Sequence, residues 1–255
     1  LQELNIQLQK SNDDLQLKVI ERTKALEIAN EQRTNTFINL AHDIKTPLTL
    51  INNYLGDYVN ENPPTDSLKV VQLNIEKLTK NVVNFFDSER IKKGVTIYDH
   101  DQIAEFSRIL NDNVVLFQKY SLKKAIEIIP SIDTNIFIKA DPEALNRIIN
   151  NVIENAIKYT NEDGQVNVTL KSVDGKIHFS VKDTGIGIAP DLHEKVFDPY
   201  YQINSKKANS QGMGLGLSIT KKILDVLDGS ILIKSDPNVQ RGTEIIIQFS
   251  QYYAE

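Results

Sequence analysis

A histidine beside an aspartate, one turn before a proline, is the feature of this sequence that most directly suggests chemistry. His42 and Asp43 lie in a segment with a strong helical repeat of apolar residues, and Pro47 lies inside the same segment. At about 100° per residue, His42 lies far around the helix from Ile44 of the apolar stripe, so its side chain is predicted to face water. Exposed histidines on helices are usually incidental. A proline that weakens the adjacent turn, however, favours a functional site.

Two asparagines four residues apart form a second candidate site. Asn151 and Asn155 share one face of a predicted helix with Lys158, three residues further on. Amide oxygens and an ammonium group suit a hydrated magnesium ion bound to phosphates, because Mg²⁺ keeps most of its waters and takes few protein ligands. A polar helix edge that binds nothing is the alternative interpretation.

Two glycine-containing loops in the second half of the chain form a third candidate site. Asp183, Gly185 and Gly187 follow a predicted strand, and a run of alternating glycines from Gly212 to Gly216 leads into a predicted helix. Free N–H groups and the dipole at the start of a helix favour phosphate. Each loop alone is a weak signal, because ordinary turns use the same residue types.

The composition excludes several other chemistries. The 255 residues include no cysteine and four histidines, which rules out disulfides and thiolate sites and argues against a histidine-rich metal site. A net charge of −5 argues against a nucleic-acid partner. No apolar run is long enough to cross a bilayer. The chain opens with Leu1 rather than Met, so we expect a piece of a longer protein whose membrane attachment, if any, lies upstream.

The first half of the chain is predicted to be helical, and its helices must position His42 and Asp43. Residues 1–34 carry sparse apolar positions among mixed charges, which predicts an imperfect two-stranded coiled coil; a lone solvated helix is the alternative. Residues 35–93 carry two apolar stripes separated by breakers at 60–66, which predicts a helical hairpin. The stripes are Phe37, Ala41, Ile44, Leu48, Ile51, Leu55 and Tyr58, and then Leu68, Val71, Ile75, Leu78, Val82 and Phe85. Since a hairpin covers only one side of each stripe, a dimeric four-helix bundle is expected.

The second half of the chain, after a predicted linker at 94–103, has a mixed pattern of helices and strands. Residues 104–255 are predicted to form an α+β sandwich, a mixed sheet with helices on one face. Apolar positions from Ile103 to Phe117 predict one helix, and Asp141-Pro142 begins another that runs to about Tyr159. Strands are predicted at 126–129, 135–139, 165–173, 176–182, 230–234 and 243–249, and a last helix at about 215–227. Asp174-Gly175 is a two-residue hairpin signal between two of these strands.

Five segments of the chain resemble the motifs of a known family. Residues 37–48, Phe-Ile-Asn-Leu-Ala-His-Asp-Ile-Lys-Thr-Pro-Leu, are similar to the H-box of sensor histidine kinases, with Asp43 and Lys45 where the family usually has Glu and Arg. Four further segments resemble the family's other boxes in the usual order: an N-box at 151–160, a G1 box at 183–188, an F-box at 197–201 and a G2 box at 212–217. The resemblance covers about residues 30 to 250.

The resemblance implies a kinase core that uses ATP and Mg²⁺ to phosphorylate His42. Asp43 would orient the ring and take its proton, Thr46 would position a water for dephosphorylating the partner protein, and Asn155 would be the metal ligand. Asp183 would receive the adenine amino group. The implied ATP-binding residues are Asn151, Asn155, Lys158, Tyr159, Asp183, Gly185, Gly187, Phe197, Gly212, Gly214 and Gly216.

The resemblance also implies partners and a location. We expect a homodimer that passes phosphate to the receiver domain of a response regulator, either in trans or in a missing part of the same protein. The chain would be the cytoplasmic portion of an inner-membrane receptor. Two alternatives stay open. An ATPase that hydrolyses ATP is disfavoured because Asn151 stands where related ATPases place a glutamate base. A nucleotide-binding scaffold without kinase activity is disfavoured by intact His42, Asn155 and Asp183.

Overall fold

The computed structural model describes residues 2–61, 65–92, 98–203 and 213–252, and it divides the chain into two compact units, Leu1–Gly94 and Val95–Glu255. Each unit is described by itself. The centre of the predicted turn at 60–66 and Gly212 of the predicted glycine loop lie outside the described residues.

The first unit is a pair of long helices. Helix α1 spans Gln2–Glu61 and continues through Pro47, and helix α2 spans Asp66–Lys92. The Thr65 hydroxyl accepts a hydrogen bond of 3.3 Å from the Leu68 backbone N–H, which caps the start of α2. The two helices pack against each other, which confirms the predicted helical hairpin. None of the helices in the described ranges combines the length and apolar character that a bilayer span requires.

The hairpin covers its apolar stripes only in part. Leu48 of the first stripe is buried, and so is Phe86, next to the stripe residue Phe85. The stripe residues Ile51 and Leu78 keep about half of their surface exposed, at 48% and 51%. Apolar side chains in the first half of α1 are exposed as well, at Leu15, Val19 and Leu26.

The second unit is built on a five-stranded mixed sheet. Its strands are β2 (Glu127–Ile132), β4 (Gln165–Val173), β5 (Lys176–Asp183), β6 (Ser230–Asp236) and β7 (Gln240–Ser250). They lie in the order β2-β4-β5-β7-β6; β2 runs parallel to β4, and the other pairs are antiparallel. The helices are α3 (Phe106–Ser121), α4 (Pro142–Tyr159) and α5 (Gly216–Val226). This agrees with the predicted α+β class.

One face of the sheet carries the core. Burial alternates along β4, β5 and β7, as a sheet covered on one face requires. Phe106, the first residue of α3, packs edge-to-face on Phe179 and Phe249, with ring centroids 5.6 and 5.8 Å away. The aromatic contacts fix the start of α3 over β5 and β7.

Local signals placed several elements correctly. The Asp141 side chain accepts a hydrogen bond of 2.7 Å from the Glu143 backbone N–H, so it caps α4 with Pro142 at the first helical position, as predicted. Asp174 and Gly175 both have positive φ, at 50° and 74°, which is the geometry of a two-residue hairpin. Both predictions are confirmed.

The predicted helix beginning near Ile103 is wrong for its first three residues. Ile103–Glu105 form strand β1, which pairs antiparallel with β3 (Phe137–Lys139). The spacing of three between Ile103 and Phe106 fits a helix, but Ala104 is buried while Ile103 is 55% exposed, which is the alternation of a strand. Pairing with a distant strand outweighs the local helical period here.

Candidate functional site

Asp183 lies at the end of the central strand β5 and is the buried carboxylate of the site. Its Oδ1 accepts hydrogen bonds from the backbone N–H groups of Gly185, at 2.8 Å, and Thr243, at 3.1 Å. Burial raises the pKa of Asp183, and the two N–H donors oppose that rise without cancelling it. Since both donors use Oδ1, the second oxygen of the carboxylate is left for a donor from a ligand.

Gly185 allows the loop after β5 to lie directly on the end of α4. A side chain at this position would place a Cβ 2.3 Å from the Tyr159 carbonyl oxygen and 2.8 Å from Asp183 Oδ1, so only glycine fits. The Ile186 backbone N–H then donates to the same Tyr159 oxygen at 3.2 Å. The loop therefore joins two of the predicted site residues, Asp183 and Tyr159.

Hydrogen bonds that the sequence did not indicate also hold this loop. The Ser235 hydroxyl accepts from the Ile188 N–H at 2.8 Å and donates to the Gly242 carbonyl at 2.7 Å. Gly242 has a φ of +106°, and a Cβ there would lie 2.2 Å from the Asp183 carbonyl oxygen. A glycine inside a predicted strand, immediately before Thr243, is the signal that could have indicated this close approach.

The N-box residues on α4 do not form a simple row of three ligands. Asn151 is buried, and its Nδ2 donates to the Gly216 carbonyl at 3.1 Å and to the Thr220 hydroxyl at 3.3 Å, both on α5. Asn155, one turn later, is half-buried. The Lys158 ammonium group donates to the Tyr159 hydroxyl at 3.0 Å. Asn151 thus holds α4 to α5 through its amide nitrogen, and the Asn155 amide makes no hydrogen bond within the described residues.

The F-box and the end of the glycine-rich segment meet beside α5. The Tyr200 N–H donates to the Gly214 carbonyl at 2.9 Å, and a Cβ at Gly214 would lie 2.6 Å from the Tyr201 carbonyl oxygen. The Lys221 ammonium group lies 5.2 Å from the centre of the Phe197 ring. The contacts position two predicted site residues, Phe197 and Gly214, at the N-terminal half of α5.

The H-box lies in the first unit, in helix α1. Asp43 and Thr46 are exposed there, three residues apart on one side of the helix. The prediction that the His42 side chain faces water concerns a side chain outside those described, and it stays a prediction. The structure thus brings the N-, G1-, F- and G2-box residues together within the second unit, while the H-box belongs to the other unit.

The donor chemistry of the second unit fits a magnesium nucleotide better than a metal held by protein alone. Within the described ranges, no three His, Asp or Glu side chains cluster as metal ligands. Magnesium needs only one or two protein oxygens when phosphates and waters complete its shell, and the half-buried Asn155 amide carries an oxygen of that kind. Among the described residues, no side chain caps the first turn of α5, and backbone N–H groups at such a helix start favour phosphate oxygens.

Comparison with known proteins agrees with this geometry. The sequence model of the family described as "Histidine kinase-, DNA gyrase B-, and HSP90-like ATPase" matches residues 140–252. The sensor histidine kinase WalK of Bacillus subtilis is 26% identical over 251 residues, which are 94% of this chain and 40% of WalK. The virulence sensor protein BvgS of Bordetella bronchiseptica is 27% identical, over 88% of this chain and 19% of BvgS. The chain therefore spans less than half the length of these relatives.

Solved structures give the same result. Full-length ShkA, crystallised in complex with AMPPNP, superimposes with a TM-score of 0.66 at 26% identity, over 86% of this chain and 47% of ShkA. The catalytic domain of the histidine kinase ThkA, in a nucleotide-free form, gives a TM-score of 0.52 at 26% identity, over 61% of this chain and 97% of that domain. The chain is therefore related to the sensor histidine kinases, and residues 140–252 form an ATP-binding domain of the histidine kinase, DNA gyrase B and HSP90 type.

Proposed function

We propose that this chain uses Mg-ATP to phosphorylate His42 and then transfers the phosphoryl group to an aspartate in the receiver domain of a response regulator. The observation that carries the proposal is the buried Asp183 carboxylate, whose Oδ1 is held by two backbone N–H groups while its other oxygen is left for a ligand donor. The relationship to sensor histidine kinases supports the same function.

Adenine recognition follows from the chemistry of Asp183. An ionised carboxylate accepts hydrogen bonds only, so it pairs with the exocyclic amino group of adenine. Guanine presents a carbonyl oxygen at the equivalent position, and two acceptors facing each other in a buried site repel. Gly185 keeps the loop against Tyr159, because any side chain there would collide with the Tyr159 carbonyl, and its N–H holds Asp183 Oδ1. The site therefore favours adenine nucleotides.

The phosphates would lie between α4 and the start of α5. Asn155 supplies a neutral oxygen for magnesium, which when bound would neutralise charge on the β- and γ-phosphates. Lys158 and the uncapped first turn of α5 add positive potential on the same side. Asn151 stands where a related ATPase would carry a glutamate base, so water is not activated and the γ-phosphoryl group is kept for a protein acceptor.

The transfer step uses the H-box of α1. An imidazole nitrogen of His42 attacks the γ-phosphorus, a P–N bond forms, the bond to the bridging oxygen breaks, and ADP leaves with that electron pair. Asp43 orients the ring and takes the proton from its other nitrogen. In the reverse direction, Thr46 would position a water against the phosphoryl group of the response regulator. Asp43 and Thr46 are both exposed on α1, as a shared docking surface requires.

A homodimer is the assembly that we propose for the first unit. Ile51 and Leu78 belong to stripes that the single hairpin leaves half-exposed, and a second hairpin would cover them in a four-helix bundle. Residues 1–34 would continue as a two-stranded coiled coil, which would cover Leu15 and Leu26. Residues 35–93 would be the dimerisation and phosphotransfer domain, 94–103 a linker and 104–255 the catalytic domain. The chain would be the cytoplasmic part of an inner-membrane receptor.

The amounts of ADP and free phosphate formed per subunit distinguish the proposed kinase from a hydrolytic ATPase. The purified chain is mixed with Mg-ATP, and ADP and free phosphate are followed with time. A kinase without its receiver domain forms at most one ADP per subunit and then stops, with little free phosphate. Continued release of ADP and phosphate in equal amounts would contradict the proposal. Absence of ADP from a chain that still binds nucleotide would also contradict it and would identify a scaffold.

A further inference from the structure

Thr220 of α5 is a fully buried polar residue that none of the sequence motifs includes. Its hydroxyl donates to the Gly216 carbonyl at 3.0 Å, one turn earlier in the same helix, and accepts from Asn151 Nδ2 at 3.3 Å. Gly216 O also accepts from Asn151 Nδ2. The three groups form a closed triangle of hydrogen bonds between α4 and the first turn of α5.

This triangle determines which end of the Asn151 amide faces which way. An asparagine amide has a donor end and an acceptor end of nearly the same shape, so its neighbours decide its orientation. Both acceptors on α5 take the Nδ2 end. In the described part of the chain, no residue donates to Oδ1, which lies 3.2 Å from the place that a Cβ would take on Gly216. The acceptor oxygen is thus held at the N-terminal end of α5.

We propose that Thr220 is a positioning residue of the nucleotide site, which keeps Asn151 Oδ1 directed toward the magnesium ion of the bound nucleotide and ties the start of α5 to α4. The inference rests on the proposed function, because it assumes that Mg-ATP occupies the space between these helices. Thr220 acts through Asn151 and does not touch Asp183. Its loss should therefore weaken binding of the magnesium triphosphate and leave binding of the adenine end unchanged.

Ser218 provides a matched control on the same helix. It is also buried, and its hydroxyl donates to the Leu215 carbonyl at 2.9 Å, within the first turn of α5. No described contact of that hydroxyl reaches α4. Ser218→Ala therefore removes a buried hydroxyl from α5 without altering the Asn151 triangle.

The test compares the full chain with Thr220→Val, Thr220→Ser and Ser218→Ala, using calorimetric titration with Mg-AMPPNP and, separately, adenosine. Loss of one net hydrogen bond predicts roughly three- to ten-fold weaker Mg-AMPPNP binding for Thr220→Val. Adenosine binding should not change, Thr220→Ser should restore the affinity, and Ser218→Ala should match the wild type. The ratio of the two affinities is a readout that general destabilisation would not move.

Two results would overturn the inference. Thr220→Val could bind Mg-AMPPNP as tightly as the wild type, or it could lose affinity for both ligands equally without rescue by Thr220→Ser, which would make Thr220 purely structural. If the wild-type chain bound neither ligand, the proposed function would fail, and the inference would fail with it.

Discussion

The backbone N–H of Thr243 donates a hydrogen bond of 3.1 Å to the buried carboxylate of Asp183, across 60 residues of sequence. Strand β7 thereby helps to hold the group that we propose receives adenine, because β5 and β7 are neighbours in the sheet. Gly185 supplies the second N–H from the loop itself. The carboxylate is therefore oriented by backbone groups before any nucleotide binds, which reduces the ordering cost of binding.

Asp183→Asn should keep the domain folded and abolish tight adenine binding. The asparagine Oδ1 can still accept from Gly185 and Thr243, and the buried negative charge is removed, so thermal stability at neutral pH should stay equal or rise. The end that faces the ligand becomes an NH₂ donor, which opposes the adenine amino group. We expect nucleotide affinity to fall by about ten-fold or more. Thermal unfolding and calorimetric titration on the same samples test this, and unchanged affinity would contradict the assigned role.

The raised pKa of Asp183 predicts a pH dependence with a definite sign. Because burial raises the pKa above its ordinary value of 3.8, the stability contribution of Asp183 is fully present below 3.8 and is lost as pH rises through the folded-state pKa. The free energy of unfolding of Asp183→Asn, relative to the wild type, should therefore increase as pH rises through the folded-state pKa of Asp183. Urea unfolding of both proteins between about pH 3.5 and 7 measures the difference. A difference that shrinks as pH rises would be the opposite of this expectation.

Gly185→Ala should disrupt the second unit. The new methyl group would lie 2.3 Å from the Tyr159 carbonyl oxygen, which belongs to the end of α4 and cannot move freely. We expect a loss of more than about 2 kcal/mol in the free energy of unfolding. Gly56→Ala is the control, since a Cβ at Gly56 meets no atom within 4 Å and alanine favours a helix. Equal stability of the two variants would show that the loop relaxes.

Ile51→Lys should convert the proposed dimer into monomers. Ile51 lies on the α1 stripe, is 48% exposed in the single hairpin, and would be buried by a partner hairpin. Asn53→Lys adds the same charge two residues away, on the far side of the helix, at an exposed position outside the stripe. Light scattering coupled to size-exclusion chromatography should give a monomer for Ile51→Lys and a dimer for Asn53→Lys. Two dimers would place the interface elsewhere.

Local signals in the sequence were enough to predict most of the elements but few of their contacts. Caps and turns such as Asp141-Pro142 and Asp174-Gly175 act through neighbouring residues, so they could be recognised from the sequence. Strand β1 at Ile103 could not, because its partner β3 lies more than 30 residues away and determines its conformation. The motif residues were expected to face a ligand. Within the described residues, one carboxylate oxygen of Asp183 and the amide oxygen of Asn155 accept no hydrogen bond, which agrees with that expectation.

The hydrogen bonds that hold those residues in place had no local signal in the sequence. Ser235 lies on β6, but its role depends on the loop that follows β5. The burial of Asn151 against Gly216 depends on the packing of α4 on α5. Asn151 was predicted as an ATP-binding residue on the same footing as Asn155, but its amide nitrogen is engaged by α5. Such contacts arise only when the helices and the sheet come together.

The most direct test of the central claim is the fate of the γ-phosphate. The full chain is incubated with γ-labelled Mg-ATP beside His42→Ala and Asn155→Ala, and the protein is then treated with acid or alkali. We predict label on the wild type that is labile to acid and stable to alkali, as phosphohistidine is, and no label on either variant. Label that persists in His42→Ala, or a wild type that binds nucleotide without becoming labelled, would contradict the claim that His42 is the acceptor.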